Sequence, residues 1–281
     1  MEIRLENVCY LDKTSSLQDI SENFIENNVY GIIGPSGSGK STFGKLLAGE
    51  LILHEGHIYY DNLLIDSDSN RDKYVEVQKK VGYVSEEQEF IMPTVYEELA
   101  QKIKKQHYRE SELEKRIFDA LKMVGLSRTF ISRNPRTLST GEQRKLSLAI
   151  ALICNPKVVI LDEPIFGMDP FEQKKLIRLV RMLKMRYHKI VIIISNDLDF
   201  MLPVVDQILV MEDGKVKMNQ AKYQVLKATR KLKNMGIQVP RMIEFSDIVL
   251  KKKKIKIGYR DHMNDLIKDI YRYAEWGCHN K

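Results

Sequence analysis

Long apolar runs are missing from this chain. The best, Ile190 to Ser195, has the length of a buried strand and falls far short of the ~18 residues that cross a bilayer, so the chain is not expected to span a membrane. Cysteine is scarce. Cys9, Cys154 and Cys278 are an odd number at no metal-like spacing, which speaks against a disulfide framework or a zinc site and for a reducing cytosol. Internal repeats and low-complexity linkers are absent. The opening residues, MEIRLENV, carry early acids and no apolar stretch, so no secretory signal is expected. What is present is 281 residues, 43% apolar and 30% charged, which allows a sizeable buried core and argues against global disorder. That length fits one large domain, or one domain with a smaller appendage.

The net charge of +7 is unevenly placed. From Ala221 to Lys281 there are 15 Lys and Arg against 6 Asp and Glu, whereas the first 220 residues hold 30 against 32. This shift suggests a boundary near residue 220. Its sharpest part is Lys251 to Lys254, followed by Ile255, Lys256 and Ile257. The plain reading is an edge strand guarded by lysines. The alternative is contact with anionic headgroups or an acidic partner. Nucleic acid is not expected as a partner, because no aromatic stacking platform accompanies the charge.

Val29 to Ile33 reads as a short buried strand and runs into Gly34-Pro35-Ser36-Gly37-Ser38-Gly39-Lys40-Ser41-Thr42. Phe43, Leu46, Leu47 and Ala48 then fall on one helix face. Strand, glycine-rich turn and helix in this order are the context of a phosphate-binding loop. The glycines let successive N–H groups point inward at phosphate oxygens, and the helix adds the positive end of its dipole. The run Gly34 to Thr42 is expected to wrap the phosphates of a nucleotide. Lys40 supplies a cation to the β- and γ-phosphates, and the Ser41 hydroxyl reaches Mg²⁺. Val158 to Leu161 reads as a second buried strand, ending in Asp162-Glu163. There Asp162 would hold Mg²⁺ through water and Glu163 would polarise an attacking water.

Leu138-Ser139-Thr140-Gly141-Glu142 lies about 20 residues upstream of that pair, before a helical apolar pattern. With the phosphate loop, this signature and Asp162-Glu163 in order, and Pro164 to Pro170 (PIFGMDP) following, residues 1 to 220 resemble the ATP-binding-cassette (ABC) ATPases. The resemblance implies an α/β fold: a P-loop NTPase of ABC type with an N-terminal antiparallel β portion, a helical subdomain at about 97–155 and a small C-terminal extension at 221–281. It also implies that two cassettes pack head to tail, so that Ser139 and Gly141 of one meet the nucleotide held by the other. The expected partners are a second cassette and a transmembrane subunit, and the expected place is the cytoplasmic face of the cell membrane.

Several positions depart from the family pattern. Glu86 stands where a glutamine is expected, with Gln88 two residues on. Asn196 stands where the family carries a switch histidine, and an amide can hydrogen-bond a phosphate but cannot carry a proton or positive charge. Thr140 replaces a glycine and is expected to resist positive φ and crowd a phosphate. Glu142 replaces a glutamine and is expected to bring negative charge near it. Tyr10 is the nearest candidate for a base-stacking aromatic, although the family's position is closer to Leu11 or Asp12. Drift in a working ATPase would explain these changes. The sharper expectation is weakened hydrolysis, with Glu163, Asn196 and Glu86 as the catalytic set and a more competent cassette as partner in a heterodimer.

Leu113, Ile117, Ala120, Leu121 and Val124 follow the helical period. Thr94 to Glu98 is expected to lie where a membrane subunit docks. Gly236 to Ile243 (GIQVPRMI), after a basic helix, is similar to the C-terminal extension of energy-coupling-factor ATPases, which implies uptake of a vitamin or transition-metal ion. Met263, Leu266, Ile267, Ile270 and Ala274 form an apolar stripe, either packed on their own domain or serving as a dimerisation face.

Overall fold

The computed structural model describes residues 1–12, 15–85, 87, 89–104, 108–253, 264–269 and 271–272. Three strands come first: β1 (Glu2–Leu11), β2 (Ser16–Ile20) and β3 (Asn23–Ile25). Then follow β4 (Val29–Ile33), α1 (Lys40–Leu47), β5 (Glu55–Tyr60), β6 (Leu63–Ile65), α2 (Arg71–Lys80) and β7 (Val81–Val84). Three helices come next: α3 (Val95–Ile103), α4 (Glu110–Val124) and α5 (Thr140–Leu152). The chain returns through β8 (Val158–Asp162), α6 (Pro170–Met185), β9 (Ile190–Ile194), α7 (Leu198–Met201), β10 (Gln207–Glu212) and β11 (Lys215–Ala221). After β11 come α8 (Lys222–Lys227), α9 (Thr229–Asn234) and α10 (Arg241–Lys253), and residues 264–269 are helical again.

Two sheets form. One is antiparallel and five-stranded, in the order β2-β1-β5-β6 with β3 also on β1. The other has six strands, β11-β10-β4-β9-β8-β7. All its neighbours pair in parallel except the edge pair β10–β11. Strands buried on both faces read as continuous apolar runs. Accordingly β4, β8 and β9 are buried at every residue. The period of two divides them between two cores. Ile190, Ile192 and Ile194 join the cluster shared with α1 and the antiparallel sheet. Val191 and Ile193 join the cluster shared with α3 to α6.

The stretch after β11 is not a separate layer throughout. Val225, Leu226, Leu232, Ile237, Val239 and Ile243 belong to the same core cluster as the helical layer. The edge strand expected around Lys251 is corrected: Lys251 to Lys253 continue α10. Ile243 and Ser246 are buried with Met242 and Val249 half-buried, a helical spacing that carries the backbone through the lysines. Lys254 to Ile257 lie outside the described residues. Of the apolar stripe, Met263, Ile270 and Ala274 lie outside them too, while Leu266 is buried and Ile267 exposed. No helix among the described residues is long and apolar enough to cross a membrane.

Candidate functional site: a phosphate cradle and a carboxylate pair

The cradle begins where β4 ends. Gly37 and Gly39 take φ of 77° and 93°, a left-handed backbone that favours glycine. At Gly34 the reason for glycine is space, since a Cβ there would lie 2.2 Å from the Met211 carbonyl oxygen. Gly39 is the N-cap of α1, so the first orphan N–H groups of the helix open onto the curl. Lys40 is buried, and its Nζ donates to the carbonyl oxygens of Gly34 and Pro35, both at 2.8 Å. Burial pushes its pKa down, while Glu163 and Asp162 hold it up. Ser38 is buried at the floor, Ser36 and Gly37 are exposed at the rim, and Pro35, Ser41 and Thr42 are half-buried. Thr42 Oγ1 donates to Ser15 Oγ at 3.1 Å and ties the loop to the β1–β2 turn.

Parallel strands β8 and β9 flank the cradle, since β4 pairs β9 and β9 pairs β8. Asp162, at the end of β8, is 1% exposed. Its Oδ2 accepts from the Tyr83 hydroxyl at 2.9 Å, whereas Oδ1 is buried with no hydrogen-bond partner. Glu163 has φ of 42° and accepts at Oε2 from the Ser195 hydroxyl at 2.8 Å. The next residue, Asn196, is exposed, and its Oδ1 accepts from the Gly34 N–H at 3.3 Å. With the oxygen engaged there, the NH₂ end is the group a phosphate oxygen would meet. The expected residues Gly34 to Thr42, Asp162, Glu163 and Asn196 thus meet at one sheet edge.

This donor set fits a nucleotide-bound Mg²⁺. A hard cation takes oxygen ligands and keeps several waters, leaning on one or two protein groups plus phosphates. An orphaned buried carboxylate oxygen on Asp162 and a half-buried hydroxyl on Ser41 are donors of that kind. The described residues include no group of three or more His, Cys, Asp or Glu able to hold a metal by themselves.

Ser139 sits elsewhere. It caps α5, whose buried face lies in the cluster on the helical side, while α1 packs into the cluster on the other side of the parallel sheet. Ser139 is exposed and Gly141 is buried against Glu172, whose Oε2 would be 2.8 Å from an added Cβ. Two expectations are corrected here. Thr140 is the first residue of α5 with a helical backbone, so it carries no positive-φ strain; its methyl lies over Gly167. The Glu142 carboxylate is spent on the helix end, accepting from Ser139 N at 2.9 Å while its own N–H donates to Ser139 Oγ. The Ser139 backbone N–H, and after it the Ser139 side chain, hold the Glu142 carboxyl below its ordinary value.

Tyr10 is also corrected. Val8 and Tyr10 alternate inward along β1, so the Tyr10 ring is buried, tilted against His54 at 5.0 Å. The exposed neighbour is Leu11. Glu86 and Gln88 lie outside the described residues. Sequence reasoning missed Tyr83, Ser195 and Arg144; the last is buried and donates to the Ser85 carbonyl oxygen at 2.5 Å. Strand ends beside Asp162-Glu163 were the available signal for the first two.

A glycine-rich curl between strand and helix, with a carboxylate pair two strands away, defines a P-loop nucleotide-binding protein. A family model described as ABC transporter matches residues 17–166. An energy-coupling factor transporter ATP-binding protein EcfA2 from Caldanaerobacter subterraneus subsp. tengcongensis is 30% identical over 86% of this chain and 87% of its own. A putative ABC transporter ATP-binding protein from Pyrococcus abyssi is 33% identical over 93% and 95%. Two solved structures overlay with a TM-score of 0.71. One is a dimeric ATP-binding cassette in a post-hydrolysis state bound to ADP and Pi, 28% identical over 78% of this chain and 98% of that one. The other is cbiO1 from Clostridium perfringens, part of the ABC transporter complex cbiONQ, 25% identical over 87% and 98%. The chain belongs to the ABC transporter family, as one of its ATP-binding cassette ATPases.

Proposed function

We propose that this chain is an ATP-binding subunit of an importer of the energy-coupling-factor type, lying on the cytoplasmic face of the membrane beside a transmembrane subunit. Its solute is a vitamin or a transition-metal ion, chosen by other chains. A second cassette, different from this one, completes the site. The observation that carries this reading is the division of labour inside the chain. Cradle, carboxylate pair and Asn196 share one sheet edge, while Ser139 caps a helix in the opposite layer. A second chain is then needed to bring a Ser139-type helix end to the phosphates.

Mg²⁺, when held by Ser41 and Asp162, would supply neutralisation of the phosphate charge. This chain's residues do the rest. The N–H groups along the curl between Ser36 and Thr42, together with Lys40, bind the triphosphate, Asp162 and Ser41 offer oxygens to the cation, and Glu163 orients water. Asn196 takes up no proton and no positive charge, so its hydrogen bonds favour ATP-driven closure over rapid turnover. Outside the site, a groove of about 680 Å³ lined by Met92, Ala100, Ile103 and Leu113 among others runs along α3. Exposed Ile91 lies close in sequence. Its apolar lining supports docking of a helix from the membrane subunit. Thr94 and Glu98 serve there as braces: Thr94 caps α3, and Glu98 accepts from the Met92 N–H at 2.6 Å.

Steady-state ATP turnover of the purified chain tests the proposal. Slow turnover alone, rising when a second cassette is added, is expected. Brisk turnover by the chain alone that Glu163→Gln abolishes would refute the weakened-site reading.

A further inference from the structure

Asp162 poses a physical problem. It is a nearly fully buried carboxylate, and burying a charge is costly unless it is paired or hydrogen-bonded. The nearby cation does not supply a hydrogen bond to it, because Lys40 spends its Nζ on the Gly34 and Pro35 carbonyls and, at 3.5 Å, on Ser38 Oγ. The described contact is the Tyr83 hydroxyl on Oδ2, which leaves Oδ1 buried and unpartnered. A carboxylate pinned at one oxygen presents the other in a fixed direction.

Tyr83 is itself held on two sides. Its backbone is in register with Ile160 in the parallel ladder, two residues before Asp162. Its ring reaches α1 at Gly44, where an added Cβ would lie 3.3 Å from Tyr83 Cε2. Gly44 is one helical turn beyond Ser41. The ring therefore bridges the helix carrying one expected cation ligand to the carboxylate that is the other.

We infer that Tyr83 is the positioning residue of the cation site. Its hydroxyl locks the Asp162 carboxylate, and its ring fixes the distance from that carboxylate to the α1 end bearing Ser41. The inference rests on the Mg²⁺–nucleotide reading of this pocket. Its consequence is specific: Tyr83 governs how much more tightly the chain binds MgATP than metal-free ATP, and leaves the grip of the loop on phosphate alone.

Binding of a fluorescent ATP analogue to the full chain, measured with Mg²⁺ and with EDTA, tests this. In Tyr83→Phe the ratio of the two affinities falls about tenfold, the scale of lost outer-shell support at a metal site. Metal-free affinity stays within about twofold in that variant. In an Asp162→Asn background the same change leaves the ratio where Asp162→Asn alone put it. Tyr83→His, with a shorter ring donor, gives an intermediate ratio and serves if Tyr83→Phe does not fold. An unchanged ratio overturns the inference, as does a parallel loss of both affinities or additive losses with Asp162→Asn. Failure of the wild-type chain to bind nucleotide in either condition would overturn the pocket reading as well, and so is distinguishable.

Discussion

At the scale of single residues, Glu163 depends on its neighbour across the strand gap. Ser195 is fully buried, donates to Glu163 Oε2, and accepts from the Asp197 N–H at 3.2 Å. Removing its hydroxyl takes away one of the contacts that orient the carboxylate. Ser195→Ala is therefore expected to slow ATP turnover about tenfold, equivalent to about 1.4 kcal/mol, while MgATP affinity holds within about twofold. Single-turnover hydrolysis beside a nucleotide titration checks both; an affinity loss matching the rate loss would rule out a positioning role. The cradle itself was legible in the sequence because each of its parts is local: glycines for the curl, an apolar run before, a helical face after. Ser195 and Tyr83 were not, because their work depends on strand order β7-β8-β9, a long-range fact that no local pattern carries. Tyr10 was legible in principle, since counting inward from Val8 in steps of two already turns its ring into the core.

At the scale of elements, the start of α5 shows how one residue reads in two ways. Ser139-Thr-Gly-Glu142 has the spacing of a capping box, and the structure forms both of its reciprocal bonds. Reading Glu142 as a charge against phosphate overlooked this nearer demand of the helix end. Glu142→Ala removes one arm of the box and is expected to cost about 1 kcal/mol, a fall of about 2–4 °C in Tm for a chain of this size. Glu142→Gln keeps an acceptor and is expected to stay within about 0.5 kcal/mol of wild type. Thermal unfolding of the two variants decides it: equal losses would show that charge, not hydrogen bonding, holds the helix start. The closing helices pose the same question of local against distant demands. Their basic composition marked a boundary near residue 220, yet Val225 to Ile243 fill the cassette's own core. Truncation after Gln220 is accordingly expected to yield a chain that unfolds at lower denaturant and aggregates, seen in urea melts and light scattering. Unchanged stability would mean the tail core is dispensable.

At the scale of the whole molecule, the end of the sheet opposite the nucleotide edge is closed by a buried charge. Lys189, 5% exposed, precedes β9 and donates to Asn155 Oδ1 at 2.8 Å and to the Pro156 carbonyl, joining the α5–β8 turn to the central strand. Burial lowers its pKa from 10.5 to about 8, with Lys157 adding to the shift. Between those values the unfolded chain holds a proton that the folded chain has released. Stability should therefore rise as pH climbs through that window, and below about 8 the full penalty of the buried ammonium applies. The gap corresponds to about 3 kcal/mol over the whole window. Tyr60 sets the upper limit. It is fully buried with its phenol pushed far above the ordinary 10.0, so above about pH 10 the unfolded chain loses that proton first and stability turns down. Urea unfolding of the wild type from about pH 7.5 to 9.5 is expected to show a rising midpoint that Lys189→Met lacks, because the variant has no charge to shed. Parallel curves for the two proteins would mean that Lys189 keeps an ordinary pKa and that the far end of the sheet bears no titratable strain.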